Sequence, residues 1–293
     1  MMEKMAIDNL KIRKLKDKIF RYLFFSCIVF CIIFLVLLLA GIIKQGIRWM
    51  SFDFLRNFPS KIRPQRAGVY PALLGSLWLV GLVGLITIPV GVGAAIYLEE
   101  YSNKKSKLYN FLEVNISNLA GVPAIVYGLL GLALFSRLKG FRGSILAGAV
   151  TLSLMVLPVV IVSSREAIKA VPNILREAAY GLGFTRWQMI KAVVLPYASP
   201  GIFTGIILSL SRALGEAAPL LVVGAASYVT RIPNGIMSRY TALPIQIYQW
   251  SGMPKKDFQE LAATGIIVLL VILLSANTVA IVLRNKYQKE RGE

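Results

Sequence analysis

The stretch REAAYGLGFTRWQMIKAVVLP occupies Arg176 to Pro196 and lies between two apolar runs long enough to cross a membrane. Pro172, just upstream, suits the first turn of a helix, where a missing N–H costs nothing. Leu175, Ala178, Ala179 and Leu182 follow at the spacing of one apolar helical stripe. Gly183 can take the left-handed conformation that closes a helix. Thr185-Arg186-Trp187-Gln188 has the form of a capping box, and Phe184 and Met189 stand where a hydrophobic staple would brace it. Pro196 restricts the residue before it, so the second helix is expected to stop near Leu195. The stretch reads as a short helix, a glycine turn and a second short helix, a rigid hairpin with small residues on one face.

The surroundings set where this hairpin sits. Of 293 residues, 56% are hydrophobic and 16% charged, which is the wrong balance for an ordinary soluble domain. Charge is nearly absent from six windows: Tyr22–Ile43, Ala67–Leu98, Val114–Ser136, Gly143–Ser164, Ala192–Thr230 and Leu261–Leu283. A membrane-crossing helix needs about 20 apolar residues, and each window supplies them. The expected fold class is therefore all-α, a polytopic membrane protein with six transmembrane helices. A cytoplasmic N-terminal arm (1–21) precedes the first helix (22–43). A transmembrane domain of five further helices covers 68–284, with the hairpin in a loop near 163–195, and a short cytoplasmic tail (285–293) follows. The first run is too long for a signal-peptide core, and no clear cleavage site follows it.

The formal net charge of +19 is read as topology. Lys4, Lys11, Arg13, Lys14, Lys16, Lys18 and Arg21 crowd the arm, and Arg284, Lys286, Lys289 and Arg291 the tail. Six spans put both ends on one side, which the positive-inside rule makes the cytoplasm. The loop Lys44–Arg66 is also basic although it falls outside. Lys61, Arg63 and Arg66 there are candidates to meet an acidic external partner, against the plainer reading of solvated loop charge. No His is present, and Cys27 and Cys31 share one face of the first helix in apolar surroundings, so zinc and histidine acid–base chemistry are not expected. Gly75, Gly81, Gly84, Gly91 and Gly93 in the second span and Gly121, Gly128 and Gly131 in the third suit close helix packing, with a kink at Pro89. Tyr240, Tyr248 and Trp250, in the outer loop Ala226–Glu260, suit a membrane–water interface.

Only the fifth window holds charges, Arg212 and Glu216, near its middle. Their spacing puts them on one helix face within pairing reach. Ionisable groups at membrane depth are functional by default. A guanidinium matches tetrahedral oxyanions, so Arg212 is the candidate anion contact and Glu216 its holder, the alternative being a static ion pair. Gly201, Gly205 and Ser209 are read as extending that face toward the cytoplasm.

For the hairpin, DNA recognition is disfavoured because both ends enter the membrane within a few residues. Docking to a partner and a connector that binds nothing remain open on the residues alone. Glu177-Ala178-Ala179, Gly183 and Leu195-Pro196 match the spacing of the EAA loop of ABC importer permeases, with Val193 where that family usually has Ile. The resemblance implies a type I importer bundle whose hairpin couples to a separate ATPase through these residues. RALGEAAPLL (Arg212–Leu221), GVGAAIYLEEY (Gly91–Tyr101), GVPAIVYGLLG (Gly121–Gly131) and TALPIQIYQW (Thr241–Trp250) resemble the permeases of phosphate importers. Ala124 and Ala217 depart from that pattern, each lacking a frequent hydroxyl.

That likeness implies a non-catalytic transmembrane subunit in a bacterial or archaeal cell membrane. Its implied partners are a homologous second permease, an ATPase dimer, an external phosphate-binding protein and lipid, with no nucleic acid. No cofactor is expected on this chain. ATP and magnesium would sit on the ATPase, since the chain has no phosphate-binding G-x-x-x-x-G-K-[ST] loop. The rivals are another oxyanion as cargo, a membrane enzyme, for which no nucleophile–base set is found, and a passive channel.

Overall fold

The computed structural model describes residues 2–135, 141, 143–225, 229 and 231–289. Ser136, Ala226, Thr230 and Arg291, used in the reading above, lie outside them. In chain order, α1 is Met2–Gly46, α2 Phe52–Arg56, α3 Tyr70–Ile96 and α4 Lys107–Ala120. Next come α5 Ala124–Phe135, α6 Ile145–Lys169, α7 Asn173–Gly181 and α8 Arg186–Met189. The last four are α9 Leu195–Gly215, α10 Ala218–Val223, α11 Leu243–Ser251 and α12 Lys256–Lys289. Single π turns, Tyr97–Tyr101 and Ile190–Val194, extend α3 and join α8 to α9. Five helical stretches are long and apolar enough to cross a membrane, and the bent pair α4–α5 makes a sixth.

α6 is the hub. Two thirds (67%) of its most apolar window is buried, against 0% for α1 and 6% for α12. Lipid is as apolar as leucine, so helices in it associate through close packing, and glycine makes that possible. A Cβ on Gly205 would press on Ser163 of α6, one on Gly201 would stand 2.7 Å from Ala167 Cβ, and one on Gly91 2.7 Å from Val160. The small-residue face of α9 is therefore filled by α6. Three hydroxyls in the bundle turn back on their own helices: Thr87 donates to Val83 O, Thr151 to Ala147 O and Thr204 to Pro200 O, each at 2.7 Å.

α1 meets the bundle at one end. Its Gly46 backbone lies against Ala263 and Thr264 of α12, Thr264 Oγ1 donates to Gly46 O at 2.7 Å, and Trp49 Nε1 donates to Glu260 at 2.9 Å. The helix runs unbroken from Met2, so the basic arm continues the first span as helix. At the opposite end Arg284 of α12 donates to Thr204 of α9 at 2.7 Å. The start of α1 and the end of α12 thus lie toward the end of the bundle that carries α7.

Two expected spans are broken. In the third, α4 and α5 meet at 106°. Pro123 cannot continue the α4 hydrogen-bond ladder and pushes Val122 out of helical geometry, so the chain turns there. The fifth window stops being one helix at Glu216, whose ψ of 122° is extended, and restarts as the short α10. α10 packs on α5, with Gly128 against Pro219 and Gly131 against Val223 and Thr151.

The segment beyond α10 closes the end of the bundle opposite α7. Leu243 N donates to Ser76 Oγ of α3 at 2.9 Å, and Phe54, Val69, Trp250 and Phe258 form a separate apolar cluster. Tyr240 and Trp250, expected at the membrane interface, are fully buried, and only Tyr248 is exposed. The reason is that α11 folds back onto α3 and α12, where large rings bury more area than they would at a headgroup surface.

This closure depends on Gly75, where a Cβ would stand 2.0 Å from the Thr241 carbonyl oxygen, whereas Gly81 has no atom within 4 Å. Gly75→Ala is expected to lower the thermal midpoint of the detergent-solubilised protein, costing about 1–3 kcal/mol as overpacking does. Gly81→Ala should leave the midpoint in place or raise it slightly. Equal midpoints for the two variants would contradict the close approach of Thr241 to α3.

Candidate functional site

The hairpin follows the local code read from the sequence, with two differences. Phe184 N donates to Ala179 O at 3.1 Å and Gly183 N to Tyr180 O at 2.9 Å, with Gly183 at φ +80°, which together make a Schellman cap on α7. Thr185 N donates to Gln188 Oε1 at 2.8 Å and Gln188 N donates back to Thr185 Oγ1, completing the capping box. Pro172 is the N-cap and not a first-turn residue. More important, the helix begun at Arg186 does not stop at Leu195. The π turn Ile190–Val194 widens the backbone ahead of Pro196, which relieves the clash and the missing N–H, and the helix continues to Gly215. The 30 residues Arg186–Gly215 form one rod of about 45 Å at 1.5 Å per residue.

The faces of α7 also divide differently from the expected single stripe. Leu175 packs inward and Ala179 is buried at 3% exposure. Ala178 and Glu177 are exposed, and Ile174, Leu182 and Trp187 stand out at 71%, 77% and 55%. Gly181 and Gly183 have open space where a Cβ would be. The surface offered to another molecule is therefore Ile174, Ala178, Gly181 and Leu182 with Trp187. Val193, Leu195 and Pro196 are partly buried in the seat beneath.

Beneath the hairpin lies an ion cluster that the sequence reading missed. Glu99 and Glu100 end α3. Arg165 of α6 contacts Glu99 at 2.9 Å, off the line of a good hydrogen bond, and bonds Glu113 of α4. Lys104 donates to Glu99 at 2.6 Å. Arg176 of α7 donates to Glu100 from Nη2 at 2.9 Å and from Nε at 3.1 Å. Glu99, Glu100, Lys104, Lys169, Arg176 and Arg186 border a polar cavity of about 400 Å³ here. The signal was present as two adjacent carboxylates closing an apolar run, but their arginine partners are distant in sequence.

Arg212 sits in the last turn of α9, where a cation also meets the negative end of the helix dipole. Its Nε donates to Glu216 Oε1 at 3.4 Å, a long bond, and among the described residues its forked Nη atoms make no hydrogen bond. The Arg212 side chain is 49% exposed and that of Glu216 22%, so the pair contributes at most about 1 kcal/mol to stability. Arg212 lies within electrostatic reach of the Tyr127 hydroxyl, which itself donates to Leu119 O across the α4–α5 bend at 2.7 Å. Ser209 is elsewhere: it is buried at 2% on the α6-facing side with Gly205 and Ala213. The structure pairs Arg212 with Glu216 and leaves Ser209 in the packing.

Toward the hairpin, α3 and α9 enclose an open groove of about 630 Å³ walled by Pro89, Gly93, Ile96, Pro196, Ile202 and Ile206. Its apolar walls suit a helix or lipid rather than an anion. Cys27 and Cys31 are exposed on α1.

Residues 87–289 match the family described as binding-protein-dependent transport system inner membrane component. The chain is 35% identical to the phosphate transport system permease protein PstA of Pasteurella multocida over 92% of this chain and 96% of that one. It is 32% identical to PstA 1 of Mycobacterium tuberculosis strain H37Rv (93% and 88%) and 37% identical to a probable ABC transporter permease, YqgI, of Bacillus subtilis (71% and 70%). The fold is similar to a subunit of a bacterial alginate ABC transporter, with TM-score 0.69 at 18% identity over 94% of this chain and 96% of that one. It is also similar to the MetNI methionine transporter, with TM-score 0.60 at 19% identity over 81% and 99%. With membrane-crossing helices, a capped hairpin and a family match over most of its length, this chain belongs to the inner membrane components of binding-protein-dependent transport systems and is a relative of the PstA permeases.

Proposed function

We propose that this chain is the transmembrane permease subunit of an ATP-driven importer of inorganic phosphate. The observation that carries the path is Arg212. Its Nη fork is open at the place where α9 breaks and beside the bend between α4 and α5. Interrupted helices at membrane depth are tolerated where they line a water-filled cavity, and transporters place solute there. A planar fork suits a tetrahedral oxyanion. The weak Glu216 contact holds Arg212 in place when no anion is bound and is readily exchanged for one that is. Phosphate is favoured as cargo by the PstA relatives. The chain itself hydrolyses nothing.

In this reading the hairpin end is cytoplasmic, as are both termini. The exposed face of Ile174, Ala178, Gly181 and Leu182 docks on a separate ATPase subunit that holds ATP and magnesium. A homologous second permease covers the apolar groove between α3 and α9. A phosphate-binding protein meets the opposite, basic end, where Lys61, Arg63 and Arg66 are exposed. The continuous rod Arg186–Gly215 links the docking elbow to Arg212, so movement of one end reaches the other.

Radiolabelled phosphate uptake tests the path, in cells where this transporter is the sole high-affinity route. Wild-type uptake should ignore excess sulfate, and Arg212→Gln at matched membrane levels should lose it by 10²-fold or so, the scale of a lost charge-stabilising contact at about 2.7–4 kcal/mol. Block by sulfate would overturn the cargo, and full uptake by the variant would make Arg212 a packing residue.

The hairpin is tested by two neighbouring alanines. Ala178→Arg should yield folded, inserted protein that no longer imports. Ala179→Arg places a charge in the seat, where an uncompensated buried charge costs about 3–5 kcal/mol, and should fail to accumulate. Normal import by Ala178→Arg would remove the docking assignment.

A further inference from the structure

Two adjacent carboxylates end α3 and go to different helices. Glu99 turns to Arg165 and Lys104, which fastens α3 to α6 within the bundle. Glu100, itself buried at 8% exposure, turns to the hairpin. Its partner Arg176 does more than pair with it. Nη2 donates to Ile168 O at 2.9 Å, and Nη1 donates to Val171 O at 2.5 Å and Asn173 Oδ1 at 3.2 Å. Ile168 and Val171 supply carbonyls where α6 ends; Ile168 O also accepts from Val171 N at 3.2 Å, and the guanidinium adds a second donor there. One guanidinium from α7 thus caps α6 and clasps α3. Lysine, a point charge without a fork, cannot satisfy this set of acceptors at once.

The hairpin is tied to the bundle by several routes. One is covalent, through the rod that becomes α9. A second is apolar and aromatic, through Leu175 and Ala179 in the core cluster and Arg186 over the Tyr101 ring at 5.2 Å, and the ionic one is this arginine, since the linker Ala170–Pro172 between α6 and α7 contains no helix that would transmit force. We propose that Arg176 and Glu100 form a positioning joint that carries hairpin movement into α3 and α6, and so sets how much solute moves per ATP hydrolysed. The proposal rests on the reading of the hairpin as the ATPase contact. Without the joint, only apolar and aromatic contact ties the hairpin to α3 and α6 while α9 follows it covalently, ATP is still hydrolysed, and the helices on either side of the apolar groove fall out of step.

The test uses the whole transporter in proteoliposomes, this chain with its second permease, ATPase and binding protein, with phosphate uptake and ATP hydrolysis measured on the same preparation. Glu100→Gln, Arg176→Gln and the double variant are compared per mole of assembled complex. Each single variant is expected to keep hydrolysis and to lower phosphate moved per ATP roughly tenfold, inside the span of about 5- to 150-fold typical of coupling between sites. The double variant should be no worse than the poorer single, since both remove one contact. Should Arg176→Gln fail to assemble, Arg176→Lys, which keeps the charge but loses the fork, is read in the same way. A wild-type ratio in the single variants, with both activities falling only as assembled protein falls, would show a static staple and overturn the joint. So would losses that multiply in the double variant. Ala178→Arg separates the two readings: full import there removes the docking assignment, whereas lost import there with a wild-type ratio in the joint variants removes the joint alone.

Discussion

The architecture of the hairpin end depends on how two part-buried arginines meet two adjacent carboxylates. Glu99 and Glu100 lie at the boundary where α3 leaves apolar surroundings, and a carboxylate shielded from water there must be met by a cation. Arg165 and Arg176 meet them from α6 and α7, and in doing so fix the end of α3 against α6 and the hairpin against both. Removing one member leaves the other charged, buried and without its counter-ion, which is why such pairs hold geometry more firmly than exposed ones. The Arg212–Glu216 contact, long and half exposed, is of the other kind. The molecule thus has a tight ionic joint where rigidity is needed and a loose pair where an anion is proposed to exchange.

Between these two places the packing is that of a membrane bundle. α6 is covered on most sides, and glycines of α3, α5 and α9 let backbones or small side chains approach to contact distance. α1 is the opposite case, an apolar helix joined to the bundle through α12 with its main apolar window uncovered. Lipid or a second subunit must cover that surface.

The interruptions are as informative as the helices. Pro123 turns the third span through 106°, and α9 gives way to α10 at Glu216. These breaks lie near one another, because α10, which follows the second, packs on α5. Pro196, by contrast, breaks nothing. A wider turn ahead of it absorbs the defect, and the hairpin and α9 become one piece. A proline therefore ends a helix only where tertiary packing offers the chain somewhere better to go.

The sequence by itself determined the class of the protein, five or six apolar crossings, and the glycine and capping-box turn of the hairpin. These follow from composition over 20-residue windows and from hydrogen bonds spanning three to five residues, so the information is local. Gly183, Thr185 and Gln188 were legible for that reason, and Arg212 and Glu216 because a charge in an apolar window stands out. Tertiary structure alone decided the rest. Ala179 turned inward and Ala178 outward although both lie on one periodic stripe, since periodicity marks an apolar face without saying what covers it. Ser209 turned into the packing while Arg212 stayed half exposed, and Tyr240 and Trp250 went into the core. The Arg176–Glu100 joint was invisible because its partners stand 76 residues apart, and no local rule pairs charges across that distance. Only the packing of α3, α6 and α7 brings them within reach.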